Sequence, residues 1–228
     1  MQPLVSPGAG PIPNVPQQQP NNLFRFGEIT LYSTQAYPAS TALSSVASRL
    51  FATPLGSQGQ GFTTALTKTE TNLKEAGRIP SGQAYDVYGV ATQVLGADNT
   101  AGLAGQMDEP FNDSVASVQT LQNIVNNGVL SWDFTQTVVD ICPVMLAGAG
   151  GGLYGSISAN AATTGAGSMN NGNGGIWMYR RTPVALPGNT TFAILLQFGS
   201  RAAAIPAGFG VAVRVVLMGY YKSVIEIG

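Results

Sequence analysis

The sequence predicts an all-β protein, and two features of the chain support that prediction. The segment Phe209 to Tyr221 alternates strictly. Every second residue is a branched aliphatic, which places four of them on one face of a strand: Val211, Val213, Val215 and Leu217. Its second face is also largely apolar and carries one charge, Arg214, which is typical of a strand inside a sheet. Shorter alternating segments recur earlier and are separated by turn residues, as at Ile79 to Gly82. The earlier strands must assemble around the last one, so we predict a sandwich or a barrel.

The chain contains about eight strand segments, which is consistent with a single β domain. They are Leu23 to Tyr32, Gln83 to Leu95, Val129 to Phe134, Thr137 to Ile141, Ile176 to Tyr179, Thr190 to Phe198, Phe209 to Tyr221 and an extension over Ser223 to Ile227.

One long helix is predicted between these strands, over Asn112 to Asn127. Asp113 can cap it, Gly128 can end it, and five apolar side chains form a stripe at helical spacing: Val115, Val118, Leu121, Ile124 and Val125. A short helix is expected over Ala42 to Phe51, and turns are expected at Ala147 to Gly152 and at Pro183 to Pro187.

Residues 1–22 differ in composition from the rest of the chain. They contain six prolines and no charge, and they are rich in Gly, Gln and Asn. We predict an extended, polyproline-like arm on a β domain that covers residues 23–228. Pro11, Pro13 and Pro16 are its candidate subunit contacts, and the alternative is a tail without a partner.

The charge content is low, since the 228 residues include 10 Lys plus Arg, 11 Asp plus Glu and no His. Ordinary soluble domains have about 25% charged residues, whereas this chain has 9%. A sparsely charged surface favours association, so we expect a homo-oligomer of many copies. The net charge of −1 argues against attraction of the whole protein to nucleic acid.

The residues that carry most catalysis are missing or scattered. Without His there is no Ser-His-Asp triad and no His metal site, and the one cysteine, Cys142, has the apolar neighbours of a buried, inert thiol. The glycine-rich stretch after Leu146 lacks the Gly-Lys-Ser/Thr ending of a phosphate loop. We therefore predict no enzyme activity, no cofactor and no metal. Neither a secretory signal nor a membrane-spanning run is visible.

Three further residues are candidate subunit contacts. Arg180 and Arg181 end a strand and could bind a carboxylate or phosphate, although a solvated strand end is the alternative. Trp177 is an expected core or interface anchor. The charged stretch Thr67 to Arg78 is expected to be a solvated loop, with a partner-contact patch as the alternative.

Residues 70–227 resemble the jelly-roll major capsid proteins of small tailless icosahedral phages and related uncultured viruses. The resemblance lies in residues 72–95, 128–155, 174–198 and 211–227, in the turns RIPSG and VALPGNT, and in the closing apolar strand. It implies a single jelly-roll sandwich with one inserted helix and an N-terminal arm. It also implies assembly into an icosahedral virion shell around a viral genome, with other virion proteins as partners; contact with the genome and an internal membrane are left open.

Two other functions remain possible on the sequence. The same β-rich build would suit the subunit of a non-viral extracellular filament, tube or surface layer, because interface angles decide between closed and open assemblies. A carbohydrate-binding or hydrolytic sandwich would need exposed aromatic side chains close to carboxylates, and the spacing of these residues shows no such group.

Overall fold

The structure is a computed structural model that describes residues 22–45, 48–97, 120, 123–134, 137–148, 155–156, 168–169, 175–205, 207 and 210–226. These residues form eleven strands: β1 (Asn22–Tyr37), β2 (Ser48–Leu50), β3 (Gln83–Ala97), β4 (Gly128–Phe134), β5 (Thr137–Pro143), β6 (Gly155–Ser156), β7 (Ser168–Met169), β8 (Trp177–Met178), β9 (Val184–Leu186), β10 (Phe192–Phe198) and β11 (Gly210–Glu226).

The larger sheet is built around β11, as the alternation of its residues predicted. Its order is β1-β11-β3-β8, with β9 also paired to β3, and all of these pairs are antiparallel. The four aliphatic side chains of the first β11 face are fully buried between the sheets. The second face is covered only in part, since Arg214, Val216 and Met218 are half-buried.

The smaller sheet has the order β2-β10-β4-β5 and is also antiparallel. Because β8 and β9 occupy the same edge of the larger sheet, they count as one principal strand. The strands β6 and β7 form a separate two-stranded sheet. The eight principal strands that remain have the order 1-8-3-6 in one large sheet and 2-7-4-5 in the other. This is the double-sheet jelly-roll arrangement, so the predicted fold class is confirmed.

The core lies between the two sheets and is largely aliphatic and aromatic. Tyr37 and Phe198 meet edge to face, with ring centroids 5.9 Å apart, and Phe51 contacts Phe192 at 5.7 Å. Tyr85 is buried below β11, where its hydroxyl donates to the Leu217 carbonyl oxygen at 2.7 Å. Of these contacts, the one between Tyr37 of β1 and Phe198 of β10 joins the two sheets face to face.

Residues 51–82 cover the outer edge of β1, which would otherwise present unpaired backbone groups. The Asn72 side chain substitutes for a strand: its Oδ1 accepts from the Tyr32 N–H at 3.0 Å and its Nδ2 donates to the Thr30 carbonyl oxygen at 2.7 Å. Further along, the Ala36 N–H donates to the Gln60 carbonyl oxygen at 2.8 Å. This close approach requires Gly61, whose φ is +81° and whose added Cβ would lie 2.1 Å from the Ala36 oxygen. The edge of β1 is therefore closed by its own chain between Thr30 and Ala36.

Two predicted local structures are wrong. Ala42 to Phe51 was expected to be helical, but it contains a 3-10 turn at Leu43–Ser45 and then β2, because Leu50 pairs with Ile194 and is fully buried there. Pro183 to Pro187 was expected to be a turn, but it contains β9, which pairs with β3 and buries Leu186. In both cases pairing with a distant strand outweighs local propensity.

The long predicted helix is described only at its end. Residues 123–127 are helical, Ile124 is fully buried, and β4 begins at Gly128 as the predicted stop requires. Val115, Val118 and Leu121 lie outside the described residues, as do residues 1–21 of the predicted arm. Within the described part of the chain, no helix is long and apolar enough to span a membrane.

Candidate subunit-contact site

A cleft of about 770 Å³ opens between β5, at the edge of the smaller sheet, and β8, at the edge of the larger one. Its lining includes Ile141 on one side and Trp177, Met178, Tyr179, Arg180 and Arg181 on the other. The three predicted contacts of this region therefore lie together. Pro11, Pro13 and Pro16, the other three, lie outside the described residues.

Two aromatic side chains fix the inner wall of the cleft. Trp177 pairs with Val90 of β3 and is half-buried against the core. The Tyr179 hydroxyl accepts a hydrogen bond from Trp132 Nε1 at 2.7 Å, and burial raises the pKa of this phenol. Trp132 is itself 3% exposed. The cleft wall is thus anchored in the core, as expected for Trp177.

Arg180 and Arg181 are both exposed at the mouth of the cleft. The ion pairs formed among the described residues are Arg49 with Asp133 and Arg78 with Glu75, each at 2.7 Å, so neither of these two arginines has an acidic partner there. Asp140, which also lines the cleft, accepts a hydrogen bond from Ser131 Oγ at 2.8 Å. Two guanidinium groups therefore face solvent beside an aromatic wall.

The strand β5 adds an open edge and apolar surface to the same side of the molecule. Val138 and Val139 point to opposite faces of this strand, yet they are 55% and 48% exposed. Across the cleft, Met178 is 46% exposed. Among the described residues β5 is an edge strand, as β1 is, but residues 51–82 cover only the edge of β1. Open edges with exposed β-branched residues pair readily with other chains.

The charged stretch Thr67 to Arg78 is less solvated than the sequence suggested. Glu70 is 4% exposed, and its carboxylate accepts from both the backbone N–H and the hydroxyl of Thr67. Arg214 donates to the Thr69 carbonyl oxygen at 2.7 Å, and burial lowers the pKa of its guanidinium. Arg214, on the second face of β11, thus holds residues 51–82 against the sheet. No local sequence pattern indicates this contact, because its partners are 145 residues apart.

A second group that sequence reasoning missed lies on the outer face of the larger sheet. The rings of Tyr88 and Tyr220 are 5.1 Å apart, and the Tyr88 hydroxyl donates to the Glu28 carboxylate. That hydrogen bond, with burial and the carboxylate's charge, raises the pKa of Tyr88 to about 12. Tyr88 is the extra residue in a bulge of β3, which alternation alone does not locate. A half-buried tyrosine, an exposed tyrosine and an exposed carboxylate therefore lie together on this face.

Groups suited to metal or thiol chemistry are not formed by the described residues. No three His, Cys, Asp or Glu side chains of this part of the chain come close enough to hold a metal ion. Cys142 is buried in the core, as predicted, and burial raises the pKa of its thiol to about 11. A buried neutral thiol is a poor nucleophile at neutral pH.

Comparison with protein-family models, with curated proteins and with solved structures finds no match to this chain.

Proposed function

We propose that this chain is the subunit of an icosahedral viral capsid that encloses the viral genome. The observation that carries the proposal is the composition of the cleft between β5 and β8. Trp, Tyr, Met and Arg are the residues enriched at protein interfaces, and Trp177, Met178, Tyr179, Arg180 and Arg181 are consecutive around this cleft. Association through this side of the sandwich would also satisfy the open edge of β5.

The fold and the composition support the same function. Jelly-roll sandwiches serve as viral capsid and lectin domains. A shell subunit buries much of its surface against neighbours, and burying a charge costs several kcal/mol unless it is paired. The 9% content of charged residues suits that requirement. The mechanism is repeated subunit contact and includes no chemical step, and the resulting location is the virion.

Assembly of the purified protein tests this proposal. We expect closed shells of uniform size by negative-stain electron microscopy, and a single fast species in sedimentation velocity. The double variant Arg180→Glu, Arg181→Glu should remain folded, because both side chains are exposed, but should not form shells. Arg201→Glu, at another exposed arginine, is the matched control and should assemble normally.

Two results would contradict it. Fibres or flat sheets in the micrographs would favour the filament, tube or surface-layer subunit. Shells of normal size from the double arginine variant would show that the cleft is not part of the subunit contact.

A carbohydrate-binding function is the second candidate, and the Tyr88, Tyr220 and Glu28 group favours it. An exposed aromatic ring such as that of Tyr220 can bind the apolar face of a sugar ring, while a carboxylate accepts from sugar hydroxyls. Glycan-array binding that Tyr220→Ala abolishes would support this function, and an array without a positive signal would exclude it as the main one.

A further inference from the structure

A second cavity, of about 450 Å³, lies at the end of the sandwich where residues 51–82 pass over the larger sheet. We propose that this cavity binds a single-chain amphiphilic carboxylate, such as a fatty acid. It is distinct from the cleft between β5 and β8, since the two share no lining residue.

The floor of the cavity is apolar and rigid. It includes Leu31, Leu73, Ile79 and Tyr85, of which the last three are at most 4% exposed. Ile29 and Leu55 stand at its opening and are 41% and 37% exposed. A cavity of this size with an apolar floor falls within the range of small-molecule sites.

Two hydroxyl groups that line the cavity are already hydrogen-bonded within the protein. The Tyr85 hydroxyl shares its one proton between the carbonyl oxygens of Leu217 and Ile29, and the Tyr32 hydroxyl donates to that of Lys68. The floor therefore offers a ligand little besides apolar contact, which suits an alkyl chain.

The charged residues that line the cavity are all basic. Its lining contains Lys68, Lys74 and Arg78 and no Asp or Glu. Arg78 pairs with Glu75 at 2.7 Å, whereas neither lysine has an ion pair among the described residues. Glu70, the nearest acidic residue to Lys68 in the sequence, directs its carboxylate to Thr67. Two uncompensated ammonium groups above an apolar floor select an anionic head on an apolar tail.

The shape of the cavity favours one chain over a membrane surface. A lipid bilayer presents a flat, extended face, while this cavity is recessed between the sheet and the covering segment. A free carboxylate monomer can place its tail against the floor and its head between the lysines.

Isothermal titration calorimetry with dodecanoate, kept below its micelle concentration, tests the proposal on the full chain. Dodecanol, which has the same tail without the charge, is the matched ligand. We expect dodecanoate to bind more tightly than dodecanol. We also expect the double variant Lys68→Ala, Lys74→Ala to lower the affinity for dodecanoate roughly tenfold or more. Its affinity for dodecanol should not change. Both lysines are exposed, so the variant should fold normally.

Two control variants locate the site. Lys222→Ala removes a lysine that does not line the cavity and should leave both affinities unchanged. Ile29→Trp narrows the opening and should weaken both ligands. The proposal is overturned if dodecanoate does not bind, if dodecanol binds equally well, or if the double lysine variant affects both ligands alike. If dodecanoate does not bind and Ile29→Trp also prevents assembly, the cavity holds a second copy of the chain in place of a carboxylate.

Discussion

Tyr37 shows how a single buried polar group makes the stability of this fold depend on pH. Its hydroxyl donates to Ser48 Oγ at 2.7 Å in the core, between β1 and β2. Burial raises the pKa of the phenol well above its ordinary value, and the hydrogen bond to Ser48 lowers it by a smaller amount. The folded protein therefore keeps this proton at pH values where the unfolded chain releases it.

We predict that the free energy of unfolding falls as the pH rises above about 10, the ordinary tyrosine pKa. Above this pH the unfolded state binds fewer protons than the folded state, so alkali favours unfolding. Tyr37→Phe should make the decline shallower by about 0.7 kcal/mol per pH unit on average between pH 9 and 11, approaching about 1.4 kcal/mol per pH unit at higher pH. Urea unfolding between pH 9 and 11 measures this slope, and Tyr220→Phe, at an exposed site, is the control. Equal slopes for wild type and Tyr37→Phe would contradict the prediction.

Burial of individual residues could be predicted from the sequence where one strand determines it. The alternation in β11 placed Val211 to Leu217 in the core correctly, since side chains on a strand repeat every two residues. Glu70 was not predicted to be buried, because its burial depends on residues 51–82 folding back over β1. The Glu70 carboxylate is hydrogen-bonded to Thr67 of the same loop, and no alternation in the sequence indicates such a contact.

At the scale of elements, the edge of β1 is protected by side-chain amides and loop backbone in place of another strand. Asn72 reproduces both the donor and the acceptor of a strand neighbour at Tyr32 and Thr30. Thr71 adds a hydroxyl hydrogen bond to the Tyr32 carbonyl oxygen at 3.1 Å. Loss of this cover would leave the backbone groups of β1 between Thr30 and Ala36 open to pairing with another chain.

We predict that Asn72→Ala lowers the free energy of unfolding by about 1–3 kcal/mol, because it leaves two backbone groups of β1 without their partners. Amide hydrogen exchange at Tyr32 should become faster. Asn72→Asp keeps the oxygen that accepts from Tyr32 and loses only the donor to Thr30, so its Tyr32 exchange should stay closer to wild type. Unchanged exchange in Asn72→Ala would show that the edge is protected by other contacts.

The long strands were predictable and the short ones were not. β3 and β10 were placed within a few residues of their observed bounds, because each is a long alternating run. β2 and β9 contain three residues each, which is too few for an alternating pattern to appear. They form because their backbone groups pair with those of β10 and β3. The candidate site was half predictable for the same reason: Trp177 and Arg180 were singled out by residue type, but β5 became their neighbour only through the sheet order.

On the scale of the whole molecule, the two long sides of the sandwich are unequal. Residues 51–82 close one side along β1, whereas the side between β5 and β8 is an open cleft. We propose that another subunit closes this open side and that the uncharged residues 1–22 also connect subunits.

We predict that deleting residues 1–20 leaves the sandwich folded and impairs assembly. β1 begins at Asn22, so the deletion removes no residue of the two sheets, and the circular-dichroism spectrum of the monomer should not change. Particles should become fewer or heterogeneous in size by electron microscopy, because prolines pre-extend an arm and lower the entropy lost when it docks. Truncated protein that forms particles of normal size and thermal stability would show that the arm is a passive tail.

The central position of β11 also has a consequence during synthesis. β1 and β3 leave the ribosome long before the strand that must lie between them, and translation adds about 5–20 residues per second. For several seconds the nascent chain therefore has two long strands with an empty place between them, and strands of another nascent chain could fill it. A chaperone that occupies this gap, or spacing of ribosomes on the message, would raise the yield of correctly folded subunits.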